Sequence, residues 1–394
     1  MRIAGPLGKP TKSASAPGAG LALGGAPGGG EAPSPSDGRW VRRQLREAAR
    51  HVMPDHRVCI CGEVPIEGQQ VRLVQGEDGR GHYTGVARCG SVWVCPDCAA
   101  KVGRHRKDEL RAGVAAARAE GLHVTMLTFT VGHRATDSLA GLLGGLTDAM
   151  RRWRGARWFG RWATECGYVG SVRNLEVTWG EGSGWHPHCH AIVFTEQRLT
   201  MAQRQRAMAE WVRTVERCGG YALHEVGLRL SDDEQVIAGY LSKADELLSR
   251  AAGIEPVRGW SCAEEVTLWH VKRGRADRLT PWDLLRALGE DGDLDAGDRF
   301  REYARAFAGR RQLVWSRGLR VRLGLGAELT DDEAAELAGD GTVVYAFSAE
   351  EWRLVRRLGY RDLLLDVVEA SGALGVMALM SEVRWEHGLV ALAA

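Results

Sequence analysis

The densest chemistry in the chain lies in Gly184-Trp-His186-Pro-His188-Cys-His190-Ala-Ile-Val-Phe194. Read as a strand, its alternate side chains share a face, so His186, His188, His190, Ile192 and Phe194 all point one way. Three imidazoles on one face of an apolar strand cannot be buried without partners, and together they can chelate one divalent ion. A second β-like run, Gly170–Trp179, precedes it across the glycine-rich Gly180–Gly184, the pattern of a hairpin. The facing strand then offers Glu176 as a hard oxygen ligand.

A second constellation is made of thiols. Five of the nine cysteines, Cys59, Cys61, Cys89, Cys95 and Cys98, fall within forty residues of one another, while Cys166, Cys189, Cys218 and Cys262 are scattered singly. An odd count in a chain of this length does not read as a disulfide framework. The pair Cys95-Pro-Asp-Cys98 lets both thiolates reach one metal on a tight turn, and cysteines upstream complete the spacing of a tetrahedral zinc site. Cys61 and Cys89 are the expected third and fourth ligands, with Cys59 a spare or a substitute; the plainer alternative is a redox pair or ordinary buried cysteines.

The third element is Val236-Ile-Ala-Gly-Tyr240-Leu-Ser-Lys243, where Tyr240 and Lys243 share a helix face. A phenol becomes a nucleophile once deprotonated, and a neighbouring ammonium stabilises the phenolate. By itself the pair is equally the pattern of a half-buried ring beside a solvated lysine.

The elements that must position these groups follow from periodicity and punctuation. A basic helical stretch at Arg39–Arg50 leads into the cysteine segment, and Lys101–Glu120 reads as an alanine-rich helix. His123–Val131 reads as a strand and Leu139–Trp162 as a helix carrying Arg151, Arg152, Arg154 and Arg157 beside three tryptophans. Thr200–Cys218 is a helix, Tyr221–Leu230 a strand and Asp232–Arg250 a helix. Strands interleaved with helices, a hairpin included, predict an α+β fold: a central antiparallel sheet flanked by helices, a zinc-binding segment before it and a mostly helical region after it. Thr280-Pro-Trp-Asp283 is a helix start with Thr280 at the N-cap. The expected organisation is a disordered tail over 1–38, a basic helix and zinc segment over 39–112, a catalytic domain over 113–252 and a helical region over 253–394.

Composition bounds the partners. The 394 residues carry 52 Lys+Arg against 50 Asp+Glu, a net charge of +2 that on its face discourages a nucleic-acid partner. The sum hides asymmetry, since residues 101–161 carry a net of +7, Arg301–Arg322 a net of +6, and Glu328–Glu351 eight acidic residues and no basic one. Only six of the basic residues are lysine, a chain-wide skew that reads first as a GC-rich genome and second as phosphate recognition. No run approaches the ~18 uninterrupted apolar residues of a membrane span, and no secretory signal is evident, so a cytoplasmic location without membrane contact is expected.

Three motifs in order, Leu127-Thr-Phe-Thr130 on an early strand, His186-Pro-His188-Cys-His190 on a later one and Tyr240-Leu-Ser-Lys243 on a following helix, resemble those of HUH-type rolling-circle replication initiators. Within that family the chain is similar to the single-tyrosine plasmid Rep proteins of Gram-positive bacteria. Cys89-Gly-Ser-Val-Trp-Val-Cys95, Thr280-Pro-Trp-Asp-Leu-Leu285 and Gly309-Arg-Arg-Gln-Leu-Val-Trp315 look like actinobacterial versions, and the likeness covers about residues 55–325. The resemblance implies that His188 and His190 hold Mg²⁺ or Mn²⁺ against a scissile phosphate, and that Tyr240 attacks it to leave a 5′-phosphotyrosine and a 3′-OH primer. It further implies plasmid origin DNA as substrate and the host helicase and polymerase as partners, with the arginines from Arg104 to Arg161 holding the backbone. Relatives often place a glutamate four residues before the tyrosine; here that position is Val236, which leaves the terminating residue open. A mobilisation relaxase or HUH transposase shares this chemistry, and a non-catalytic zinc-bearing DNA-binding regulator is the rival of another class. Relaxases usually carry the tyrosine before the histidine motif, whereas Tyr240 follows it.

Overall fold

In the computed structural model, residues 35–222, 227–232, 278–337 and 339–389 are described. The chain opens with helix α1 (Pro35–Val52), which begins one turn earlier than the expected Arg39, followed by a single 3-10 turn at Arg57–Ile60. Two short strands, β1 (Arg72–Gln75) and β2 (Gly81–Thr84), precede α2 (Pro96–Ala119). Then come β3 (His123–Thr130), α3 (Leu139–Gly155), α4 (Arg157–Cys166), β4 (Tyr168–Gly180), β5 (Gly184–Thr195), α5 (Met201–Arg217) and β6 (Leu228–Ser231). The later part holds α6 (Pro281–Asp291), α7 (Leu294–Phe307), β7 (Leu313–Trp315), the single turn α8 (Leu319–Arg322), α9 (Asp331–Glu336), β8 (Thr342–Ala346), α10 (Ala349–Leu358) and α11 (Arg361–Glu386).

The expected α+β architecture is observed. Five strands in the order β6-β3-β5-β4-β7 make an antiparallel sheet. Its spine is the β4/β5 hairpin, closed by a turn over residues 181–183. Gly184 re-enters the strand at φ +70, where a Cβ would sit 2.7 Å from the Ala135 carbonyl, so the turn requires glycine. Alternation along the hairpin sends Leu175, Val177, Trp185, Cys189, Ala191 and Val193 into one core with α3, α4 and α5. The other face carries Ile192 and Phe194 under α2 and α8, through Leu110, Val114, Leu319 and Leu323. That cover spans one end of the face and belongs to the same strand that carries His186, His188 and His190 further along.

Three expectations are corrected. The helix read over Leu139–Trp162 is two helices, because Ala156 is extended (φ −77, ψ 149) and turns the chain between them. The strand read over Tyr221–Leu230 is confined, among the described residues, to Leu228–Ser231. The acidic stretch after Glu328 is not merely helical: β8 pairs antiparallel with β1, completing a second sheet in the order β2-β1-β8. Thr280 is the expected N-cap of α6, and with Asp283 it forms a capping box, each side chain accepting from the other's backbone N–H. By length and composition α11 would be long enough to cross a membrane, a reading its interrupting acidic residues had hidden; here its Leu364, Val368, Val376 and Met380 are fully buried in a small core with β1, β2 and α10, and Gly372 breaks its helical geometry.

The charge asymmetry resolves into internal pairing. Arg106 of α2, almost fully buried, meets Glu109 at 3.0 Å and Asp331 of the acidic stretch at 3.1 Å, and donates to the Leu329 carbonyl. Arg57 meets Asp332, Arg311 meets Glu328, and Arg320 meets Glu109. Arg106→Ala should therefore strand Asp331 and the Leu329 carbonyl, at a cost of about 2–3 kcal/mol, below that of a fully buried pair because the acids keep some water. The shift of the urea unfolding midpoint measures this, and an unmoved midpoint would refute it.

Candidate metal centres

Four thiols converge at the start of α2. Cys61 Sγ lies 3.5 Å from Cys98 Sγ and 3.6 Å from Cys95 Sγ, and Cys89 Sγ lies 3.6 Å from Cys98 Sγ. A tetrahedral metal with ~2.3 Å sulfur bonds spaces its ligands about 3.8 Å apart, so this set fits zinc in size and chemistry. All four are buried. Hydrogen bonding among the four pushes the Cys61 thiol down and, with burial added, those of Cys89, Cys95 and Cys98 up, so a dication is what would hold all four as thiolates. Pro96 starts α2 immediately after Cys95, turning Cys98 back toward Cys95. Asp97, between the two, binds the buried Arg46 of α1. Burial alone would raise its pKa, but the charges of Arg46, Arg42 and Arg88 hold it below its ordinary value.

The structure does not bring Cys59 into this set. At about 120° per residue in a 3-10 turn, residues two apart diverge by about 240°, and the Cys59 thiol instead donates to the carbonyls of Pro54 (3.2 Å) and Met53 (3.5 Å).

On the sheet, pairing sets Glu176 opposite His188, and His190 between Thr128 and Asn174. The Glu176 Oε2 atom lies 3.2 Å from His188 Nε2 and 3.7 Å from His190 Nε2. Adjacent ligands of an octahedral ion with ~2.1 Å bonds stand about 3 Å apart, so these three fit one hard divalent cation after small adjustments. The far nitrogens are held: Thr128 Oγ1 pairs with His190 Nδ1 at 3.0 Å, and His188 Nδ1 donates to the His186 carbonyl at 3.4 Å. Such outer contacts aim the Nε2 lone pairs inward.

His186, expected among the ligands, is not brought into the group. It lies two residues along the strand, about 6.7 Å, and its Nδ1 pairs with His133 Nε2 at 2.8 Å, while His133 Nδ1 donates to the Ser183 carbonyl at 3.0 Å. Burial, then the charges of His188, Arg278 and His133, push its pKa down to about 3, so it is neutral. His133 has no spacing signal to betray it, standing in the loop after β3. Asn174 could have been found, being two residues before Glu176 on the same face.

Tyr240, Lys243, Val236 and Cys262 lie outside the described residues. Arg151, Arg152, Arg154 and Arg157 are exposed, but they stand on α3 and α4, against the sheet face opposite the Glu176 group. Arg151 and Arg152 both pair with Asp148, at 2.5 and 2.8 Å. Trp153, Trp158 and Trp162 are buried in the core, with the Trp153 and Trp162 indole N–H groups donating to the carbonyls of Ala207 and Gln203.

No protein-family model matches the chain, and no solved structure matches it. It is similar to a Streptomyces lividans protein named "Protein rep", 28% identical over 363 residues that span 76% of this chain and 78% of that relative. It is also similar to a Streptomyces cyanogenus "Neomycin resistance protein", 31% identical over 162 residues, 32% of this chain and 37% of that relative.

Two outcomes follow from the geometry. Purified protein should carry one equivalent of zinc by elemental mass spectrometry; Cys59→Ala should keep it and Cys95→Ala lose it together with thermal stability. Thr128→Val, which removes the contact to His190, should weaken Mn²⁺ binding measured calorimetrically by about 10- to 100-fold; an unchanged affinity would show that His190 is oriented by something else.

Proposed function

We propose that this chain is a plasmid replication initiator that nicks one strand of origin DNA and later rejoins it. The observation that carries the reading is the Glu176/His188/His190 group, with donor atoms within 4.8 Å of one another on one sheet face. The match to the Rep-named relative across three quarters of the chain supports it; the resistance-named relative aligns over a third and does not redirect it. Two imidazoles beside a carboxylate accept Mn²⁺ well, and Mg²⁺ leans more on Glu176.

In this reading Glu176, His188 and His190 would hold the cation, which supplies Lewis-acid polarisation of the scissile phosphate when bound. Tyr240, its phenolate stabilised by Lys243, attacks phosphorus; a new tyrosyl P–O bond forms as the bond to the 3′ oxygen breaks. The 3′-OH released is the primer for a host polymerase acting with a host helicase. Because one phosphodiester is exchanged for another, attack by a 3′-OH on the phosphotyrosine rejoins the strand without ATP. The thiolate zinc site would stiffen the junction of α1 and α2, and residues 113–252 would form the catalytic domain in a cytoplasmic protein. The Val236 side chain has no group that can accept a proton, so the water or hydroxyl that ends the cycle needs another base.

The test is direct. Single-stranded origin DNA incubated with the protein and Mn²⁺ should yield a denaturant-stable protein–DNA adduct. Tyr240→Phe should abolish it, and Glu176→Gln should slow it by at least 100-fold. An adduct surviving Tyr240→Phe would refute the assigned nucleophile, and binding without any cleavage would favour the regulator.

A further inference from the structure

The sheet face that carries Glu176, His188 and His190 has arginines of its own, and strand register fixes the first. Across β3, Thr128 stands between His190 of β5 and Arg229 of β6. Directly paired residues share a face, so Arg229 points to the side on which Thr128 Oγ1 meets His190 Nδ1. Leu228, its neighbour in the strand, is buried in the core on the other side, as alternation requires. Two strand spacings, about 9.6 Å, separate the Arg229 backbone from that of His190. The Arg229 side chain is exposed.

The second arginine stands on the opposite flank. Leu279 pairs with Trp179 near the end of β4, the two exchanging backbone hydrogen bonds of 2.7 and 2.8 Å. Trp179 faces the same core as its β5 partner Trp185, so Leu279 takes that face and the preceding Arg278 turns to the other. There its charge bears on both His186 and His133. The Glu176 group therefore lies between two guanidiniums, with Arg229 two strands to one side and Arg278 beyond β4 on the other. Neither forms an ion pair with a carboxylate among the described residues, whereas Asp232, one residue past β6, holds both Arg198 and Arg204.

A guanidinium forks onto phosphate oxygens in pairs and does so without reading the base. Four strand spacings, about 19 Å, separate the backbones of the two arginines across the sheet. A single phosphate cannot serve both; a polyanion lying across the face can. We propose that Arg229 and Arg278 are phosphate clamps of the nicking face, each holding a DNA backbone phosphate on its own side of the one bound at the Glu176 group. The strand then crosses β6, β3, β5 and β4 in turn. This rests on the reading that the chain nicks single-stranded DNA, and it puts the grip on the metal side of the sheet rather than on α3 and α4.

Fluorescence anisotropy of a labelled 12-mer of thymidylate, in EDTA and at several NaCl concentrations, tests it on the full chain. Wild type should bind, and Arg229→Gln/Arg278→Gln should bind at least 10-fold more weakly. Its slope of log affinity against log salt should be shallower by about 1.4, the value for two lost single-strand phosphate contacts. Arg353→Gln/Arg357→Gln on α10 makes the same change in net charge and should keep the wild-type slope. Affinity of the first pair within twofold of wild type, with an unchanged slope, would overturn the proposal, as would an equal loss in the α10 pair. Arg278 is half-buried, so if the double variant melts lower, Arg229→Gln alone must still flatten the slope by about 0.7. The assay contains no metal and no cleavable origin. Failure of wild type to bind would overturn the single-strand reading together with the clamps, failure of the variants to weaken binding would overturn the clamps alone, and failure of the tyrosine chemistry appears only in the adduct experiment.

Discussion

Antiparallel pairing of β4 with β5 sets Glu176 across from His188 and Asn174 across from His190. Because side chains alternate with a period of two, a slip of one residue would send every histidine into the hydrophobic core and every core residue to the metal face. The register is held from both sides. Leu175, Val177, Cys189, Ala191 and Val193 bury against α3–α5, and Ile192 and Phe194 bury under α2 and α8. The chelating group thus costs the sheet no separate device: the packing that orders the hairpin also orders its ligands. Thr128 on β3 adds the third strand to this arrangement by holding the back of His190.

The cysteine site and the acidic segment do for the rest of the molecule what register does for the sheet. The thiols tie the 3-10 turn and the loop before α2 to the first turn of that helix, whose Asp97 binds Arg46 of α1. Further along α2, Arg106 joins the acidic stretch near Asp331, more than two hundred residues away in sequence. Many of the arginines that make the middle of the chain basic are therefore spent on internal acids. Arg154, Arg157 and Arg161 on α3 and α4 face solvent on the side of the sheet away from Glu176. A net charge of +2 describes neither face.

Much of the site was legible because its signals are local. Alternation over His186, His188 and His190 is read directly from a strand period of two, and Cys95-Pro-Asp-Cys98 carries its own turn. The errors have one cause. His186 shares the predicted face but turns to His133, a residue from another loop that no spacing connects to it. Cys59 satisfies the thiol count but points away because the segment folds as a 3-10 turn rather than a strand. The single helix expected over Leu139–Trp162 breaks at Ala156, a residue with high helix propensity, where burial of Trp153 and Trp158 in one core takes precedence over local preference.

From the sequence alone came the residue types, the periods and hence the α+β class, the faces of individual strands and helices, and the candidate donors, all quantities set by neighbours a few positions apart. Tertiary structure decided which donors converge, which arginines stay free, and that β8 closes a sheet on β1 across 270 residues. Those outcomes depend on distances through space between segments far apart in the chain, and burial, charge pairing and backbone hydrogen bonding act on such distances whatever the separation in sequence.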